Sequence, residues 1–296
     1  MTEAISLRTA FANYPHVRAI KDGSVASERI SFDFEEVPVI TRAFRRMVRT
    51  LDFDLCEIAL TTLVQAHAFG KPLRALPIVV MRGFHHAALV CPVGSAIAEP
   101  ADLRGKKIGV RAWSQTTGVW VRGILLDEYG VDHRDITWVT EEDAHVQEYV
   151  DPPTVVRIAP GQSLAAMLMA GELDAGVAVA GVDPALVRPV IAEPMAAAAA
   201  WVARTGVYPV NHLLCVNAAL VEAHPWLADE LLGLFIAAKA AATEPSAEAR
   251  FAGIVGAEVL PYGLEANRTG IELCLRYAAE QGLVPAVYDT AEVFAG

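Results

Sequence analysis

Short apolar runs of strand length alternate with amphipathic stretches of helix length along this chain. That alternation constrains the fold more than any other feature. ISLRTAF (5–11), FDLCEIAL (53–60), LRALPIVV (73–80), HHAALVCP (85–92), KKIGV (106–110), DITWVT (135–140) and HLLCVNAAL (212–220) read as strands. RAFRRMVR (42–49) and the segments 115–129, 224–242 and 265–281 read as helices, and 162–180 as helix, glycine-containing turn and strand. In 115–129, Val121, Ile124 and Leu125 share one face, Asp127 and Glu128 lie off it, and Ser114 suits the N-cap. Strands alternating with helices predict an α/β protein. With 296 residues, 54% of them apolar, there is material for one large or two medium domains.

Charge and cysteine usage narrow the classes of function. The formal net charge of −11 argues against nucleic acid as a partner, because nucleic-acid binding needs a basic footprint. The arginine cluster at 42–49 is expected to be a solvated helix face. Cys56, Cys91, Cys215 and Cys274 lie far apart in apolar runs, without zinc-ligand spacing, and are expected to be buried thiols. MTEAISLRTAFANYPHV lacks the pattern of a secretory signal, and the richest apolar run, PMAAAAAWVA (194–203), falls short of a membrane span. A cytoplasmic protein without membrane or nucleic-acid partners is the expectation, with a homo-oligomer as the general prior.

Several segments carry a resemblance. DLRGKKIGV, LAAMLMAGELDAGVAVA and FDLCEIALTT look like parts of the type II periplasmic-binding-protein fold. Four further stretches are together similar to the 4,5-dihydroxyphthalate decarboxylase family. They are NYPHVRAIKDGSV (13–25), WSQTTGVWVRGILLDEYGV (113–131), RTGVYPVNHLLCV (204–216) and PYGLEANRTGIELCLRYAAEQGL (261–283). The resemblance implies two α/β lobes with the ligand cleft between them: 1–86 with 213–296 as lobe I, 87–212 as lobe II, and crossovers near 82–90 and 204–213. It also implies a carboxy-lyase acting on a small aromatic carboxylate. The chain departs from the family where His85-His86 stands in place of Arg-His and His212-Leu213 in place of His-Thr, and 141–160 is shorter. The second departure is expected to exchange a polar cleft residue for an apolar one.

Removing CO2 from an electron-rich aromatic acid needs an acid to protonate the ring carbon and fixed donors to hold the remaining anionic oxygens. No organic cofactor is required when the ring itself accepts the charge. A divalent ion on His85, His86, His212 and Glu57 is the alternative to a cofactor-free site. Histidine suits the proton donor, and the resemblance favours His86 in the cleft, with His212 at a crossover as the second candidate. Strand alternation sends only one of His85 and His86 to the cleft. Glu57 is a candidate proton relay. Arg82, His85, Arg122 and Arg268 are candidate anion holders. Ser114, Gln115, Thr116 and Thr117 open a helix whose free N–H groups suit an anion. Tyr14 and Trp113 are candidates for stacking on a ring, and Thr61 and Asn211 for polar contacts. The competing function is a solute receptor on the same fold that binds a small organic anion without chemistry.

Overall fold

A computed structural model describes residues 4–295. Eleven strands form two sheets: β1 Ile5–Ala10, β2 Ile30–Phe34, β3 Leu55–Ala59, β4 Leu73–Arg82, β5 Leu89–Pro92, β6 Lys107–Val110, β7 Thr137–Thr140, β8 Val155–Arg157, β9 Ala175–Val177, β10 Val187–Pro189 and β11 Val210–Asn217. The main helices are α1 Thr41–Thr50, α2 Leu60–Ala68, α3 Thr116–Tyr129, α4 Leu164–Met169, α5 Pro194–Thr205, α6 Ala218–Ala223, α7 Leu227–Ala240 and α8 Leu264–Glu280. One sheet has the order β2-β1-β3-β11-β4 and the other β10-β5-β9-β6-β7-β8.

The chain therefore leaves the first sheet after β4, builds the second, and returns through β11. That strand runs antiparallel between β3 and β4. Central strands covered on both faces must be apolar throughout. β3 shows this, with all five residues of LCEIA buried. Glu57 is the single charge among them and is fully buried. Burial of a carboxylate requires hydrogen-bond partners, and these define the site.

Amphipathic helices close the layers. α1 buries Ala43, Phe44, Met47 and Val48, which leaves Arg42, Arg45, Arg46 and Arg49 on the other side. α3 packs against α8 at Gly123, where a Cβ would stand 2.2 Å from the Tyr277 ring, so only glycine allows this approach. All four cysteines are free and buried. Cys56 and Cys215 face one another across β3 and β11. Among the described residues no helix is long and apolar enough to cross a membrane.

Several sequence expectations change. HHAALVCP is not one strand: β5 starts at Leu89, and His85 and His86 sit in the loop and turn before it. The alternation argument for that pair therefore has no basis. Ser114 is not the N-cap of α3, because Gln115 occupies that position and makes no side-chain cap bond. The helix expected over 224–242 is α7, whereas the expected 212–220 strand ends at Asn217 and its last residues open a separate short helix, α6. Strands β2, β8 and β10 were not predicted. β8 and β10 are only three residues long, too short for a periodic signal.

Candidate active site

Between the two sheets lies a cavity of about 610 Å³, within the range of small-molecule sites. α1 supplies Thr41, Arg42, Phe44, Arg45 and Arg46, and the start of α2 supplies Thr62. Arg111 follows β6, and Ser114 to Thr117 form the entry to α3. Glu142 and His145 come from the segment after β7. Met81, Asn211 and His212 come from the crossover strands.

His212 has a defined orientation. Its Nδ1 lies 2.7 Å from Glu57 Oε1. The Tyr14 hydroxyl donates to the same oxygen at 2.8 Å, and the Ala12 backbone N–H donates to Oε2 at 2.9 Å. Burial and the Glu57 charge push the Tyr14 pKa up, so it stays a phenol and donates. A carboxylate collecting these bonds is an acceptor, so His212 carries its proton on Nδ1 toward Glu57 and presents Nε2 to the cavity. A carboxylate behind an imidazole fixes ring and tautomer and stabilises the protonated ring. Phe44 packs edge-on against His212 at 5.0 Å, and against His145 at 5.9 Å.

The walls are basic although the chain is acidic. Arg42, Arg45, Arg46 and Arg111 converge on the cavity, with Glu142 among them. Arg46 is held by Asp52 and Glu35, and its guanidinium with that of Arg8 keeps the Glu35 carboxyl down at about 2. His145 accepts or donates a 2.9 Å bond with Thr62 Oγ1. Burial, then the charges of Arg111, Arg45 and Arg49, lower its pKa to about 3, so it is neutral near pH 7. The N-terminus of α3 adds partial positive charge at the same wall.

The candidates from sequence divide into three groups. His212, Asn211, Ser114, Gln115, Thr116 and Thr117 line the cavity. Glu57, Tyr14 and Thr61 stand one layer behind it. Thr61 Oγ1 donates to the Ser114 carbonyl and meets Thr116 Oγ1 at 2.7 Å, which ties α2 to the start of α3.

Arg82, His85, His86, Trp113, Arg122 and Arg268 are placed elsewhere. Arg82 donates to the Tyr208 carbonyl and stacks on its ring. His85 stacks on Trp120 and His86 packs against Trp201. Burial lowers their pKa values to about 3 and about 4, so His85 is neutral and no substitute for an arginine. Arg122 lies over the buried Trp113 ring and donates to Gln281 and to the Trp113 carbonyl. Arg268 is a surface residue paired with Glu265. Leu213 is wholly buried in the hydrophobic core, so its exchange does not alter the cleft. His85 and His86 do not line the cavity, although His85 is paired with the lining residue Asn211. Among the described residues no three His, Cys, Asp or Glu side chains converge as metal ligands.

Sequence reasoning missed Arg42, Arg45, Arg46, Arg111, Glu142 and His145. The available signal was four arginines within eight residues of an acidic chain. A polar helix face toward a cleft has the same pattern as one toward bulk water, so periodicity could not separate them.

Comparison with known proteins fixes the family. A 4,5-dihydroxyphthalate decarboxylase of Comamonas testosteroni is 30% identical over 98% of this chain and 96% of its own length. The chain belongs to the 4,5-dihydroxyphthalate decarboxylase family. A decarboxylase of the same name from Pseudomonas putida is 33% identical over 57% of this chain and 69% of its own. Membership makes the protein an enzyme, a carboxy-lyase. No family model matches the chain.

Solved structures agree on the fold of this decarboxylase-family chain. The periplasmic aliphatic sulphonate binding protein SsuA of Escherichia coli superposes with a TM-score of 0.61 at 15% identity, covering 98% of this chain and 97% of its own. The desulfurization enzyme DSZB gives 0.58 at 15% identity, covering 98% and 96%. The architecture is the two-lobed periplasmic-binding-protein-like fold.

Proposed function

We propose that the protein decarboxylates a hydroxylated aromatic diacid of the 4,5-dihydroxyphthalate type, using its own side chains and no organic cofactor. The observation that carries this is the His212–Glu57 pair opening onto a cavity walled by Arg42, Arg45 and Arg111. Guanidinium groups match carboxylates in charge and geometry. The two relatives' names supply the substrate class.

In the proposed reaction the arginines and the start of α3 hold the carboxylates, with His212 Nε2 toward the ring carbon that bears the departing one. The hydroxyl para to that carbon feeds electron density into the ring. His212, as imidazolium, gives its Nε2 proton to the carbon. The C–C bond then breaks, its electron pair restores the aromatic ring, and CO2 leaves. The product is a dihydroxybenzoate, and His212 regains its proton from solvent. Glu57 stabilises the imidazolium, and Tyr14 and Ala12 hold Glu57 in place. Phe44, Met81 and Ala59 give that end of the cavity apolar surface, which favours conversion of a charged carboxylate to neutral CO2. Four free thiols suit a reducing compartment, and we place the reaction in the cytoplasm.

The test is CO2 release and the ultraviolet spectrum with 4,5-dihydroxyphthalate, with and without EDTA, on the wild type and His212→Gln. The expected result is turnover that survives EDTA and is lost in the variant, while substrate still raises the variant's melting temperature. Wild-type protein that neither turns over nor is stabilised by the compound would overturn the substrate class. Loss of turnover with EDTA would overturn the cofactor-free chemistry.

A further inference from the structure

Glu142 is an acidic side chain in a cavity otherwise built for anions. Its Oε2 accepts from Arg111 Nη1 at 3.1 Å and from Arg45 Nη2 at 3.4 Å. Arg45 belongs to α1, beside the first sheet, and Arg111 follows β6 of the second. One carboxylate oxygen thus bridges two guanidinium groups across the cleft. The Glu142 backbone N–H donates to the Arg111 carbonyl at 2.7 Å, so the residue is anchored by its main chain while its side chain is 42% exposed. The neighbouring segment is docked on α1 independently, because Arg49 donates to the carbonyls of His145 and Ala144. Glu142 is therefore not needed to hold that segment in place.

We infer that Glu142 stands in for a substrate carboxylate. It occupies the fork of Arg45 and Arg111 as an internal competitor and is displaced when one carboxylate of an aromatic diacid takes the same place. This rests on the diacid assignment made above. Half-exposed ion pairs are weak, so a diacid that makes both bonds while anchored elsewhere can displace it. Glu142 then acts as an internal competitor that sets the affinity for the second carboxylate.

Titration calorimetry with phthalate tests this, since phthalate carries the carboxylate pair and lacks the hydroxyls that drive decarboxylation. Glu142→Gln removes the competing charge, and Glu141→Gln removes an equal charge one residue away. Glu142→Gln should bind phthalate about 2- to 5-fold tighter than wild type, with Glu141→Gln unchanged. Glu142→Ala should behave as Glu142→Gln does, which keeps the test intact if either variant folds poorly. Equal tightening in the Glu141 and Glu142 variants would reduce the effect to net charge and overturn the inference. Unchanged or weaker binding in the Glu142 variants would make Glu142 a strut, with the diacid reading left standing. Wild-type protein that fails to bind phthalate would overturn both.

Discussion

Glu57→Gln keeps the shape of the buried side chain and removes its charge. Three donors converge on the carboxylate: the Ala12 N–H on Oε2, and the Tyr14 hydroxyl and His212 Nδ1–H on Oε1. An amide has only one oxygen. If its NH2 faces Ala12, two buried donors oppose each other, at about 1–3 kcal/mol for the orphaned group. If its NH2 faces His212, the imidazole must shift its proton to Nε2 and loses the negative charge behind it. A charge-assisted hydrogen bond is worth about 1.5–3 kcal/mol, so kcat should fall about 10- to 200-fold. The same orphaned donor should lower the melting temperature by about 2–5 °C in a protein of this size. Steady-state CO2 release gives kcat and KM, and thermal unfolding shows that the variant is folded. KM should change far less than kcat, because Glu57 does not line the cavity. A folded Glu57→Gln protein with kcat within about twofold of wild type would refute the role given to the pair.

Replacing Arg45 or Arg111 by Met should raise KM about 10- to 100-fold with a smaller loss in kcat, since each removes a carboxylate contact; an unchanged KM would remove that residue from the substrate wall. Arg268→Ala, which breaks a surface pair, should leave kcat/KM within about twofold and stability within about 0.5 kcal/mol. Stability should fall as pH drops from about 6.5 toward about 4. His16, His86, His85 and His145 are neutral when folded, with values lowered by burial to about 4, about 4, about 3 and about 3, so over that range the unfolded chain binds more protons. His86→Leu should make this acid slope shallower, as followed by the melting temperature across the range; an unchanged slope would mean that His86 is not buried neutral.

Much of the architecture could be read directly. Strand-length apolar runs and the amphipathic helices α1 and α8 carry periodicities set by backbone geometry, which any local window reveals, whereas α3 is buried on nearly all sides from Thr116 to Leu125 and has no single apolar face. Four family-like stretches in order pointed to the two-lobed fold and to a carboxy-lyase. His212, Glu57 and Ser114 to Thr117 were legible for the same reason: a charge in an apolar strand and hydroxyls at a helix start are local anomalies. The wrong placements share a different cause. His85 and His86 were aimed by the family resemblance together with strand alternation, but the chain turns before β5, and Trp120 and Trp201 take up the rings. Arg122 and Arg82 have the right chemistry for an anion, yet carbonyl oxygens and aromatic rings hold them inside the lobes.

By itself, then, the sequence determined the α/β class and the family, and it named His212 and Glu57 as candidates for acid–base chemistry. Only the tertiary structure decided which cationic face lines the cavity. α1 has one buried side and one arginine-rich side, and nothing in its own residues says what lies opposite. The second sheet, contributed by a chain segment that begins only at Leu89, brings Arg111, Glu142 and His145 to that side. A cleft is a relation between distant surfaces, and local periodicity carries no record of which surfaces will meet.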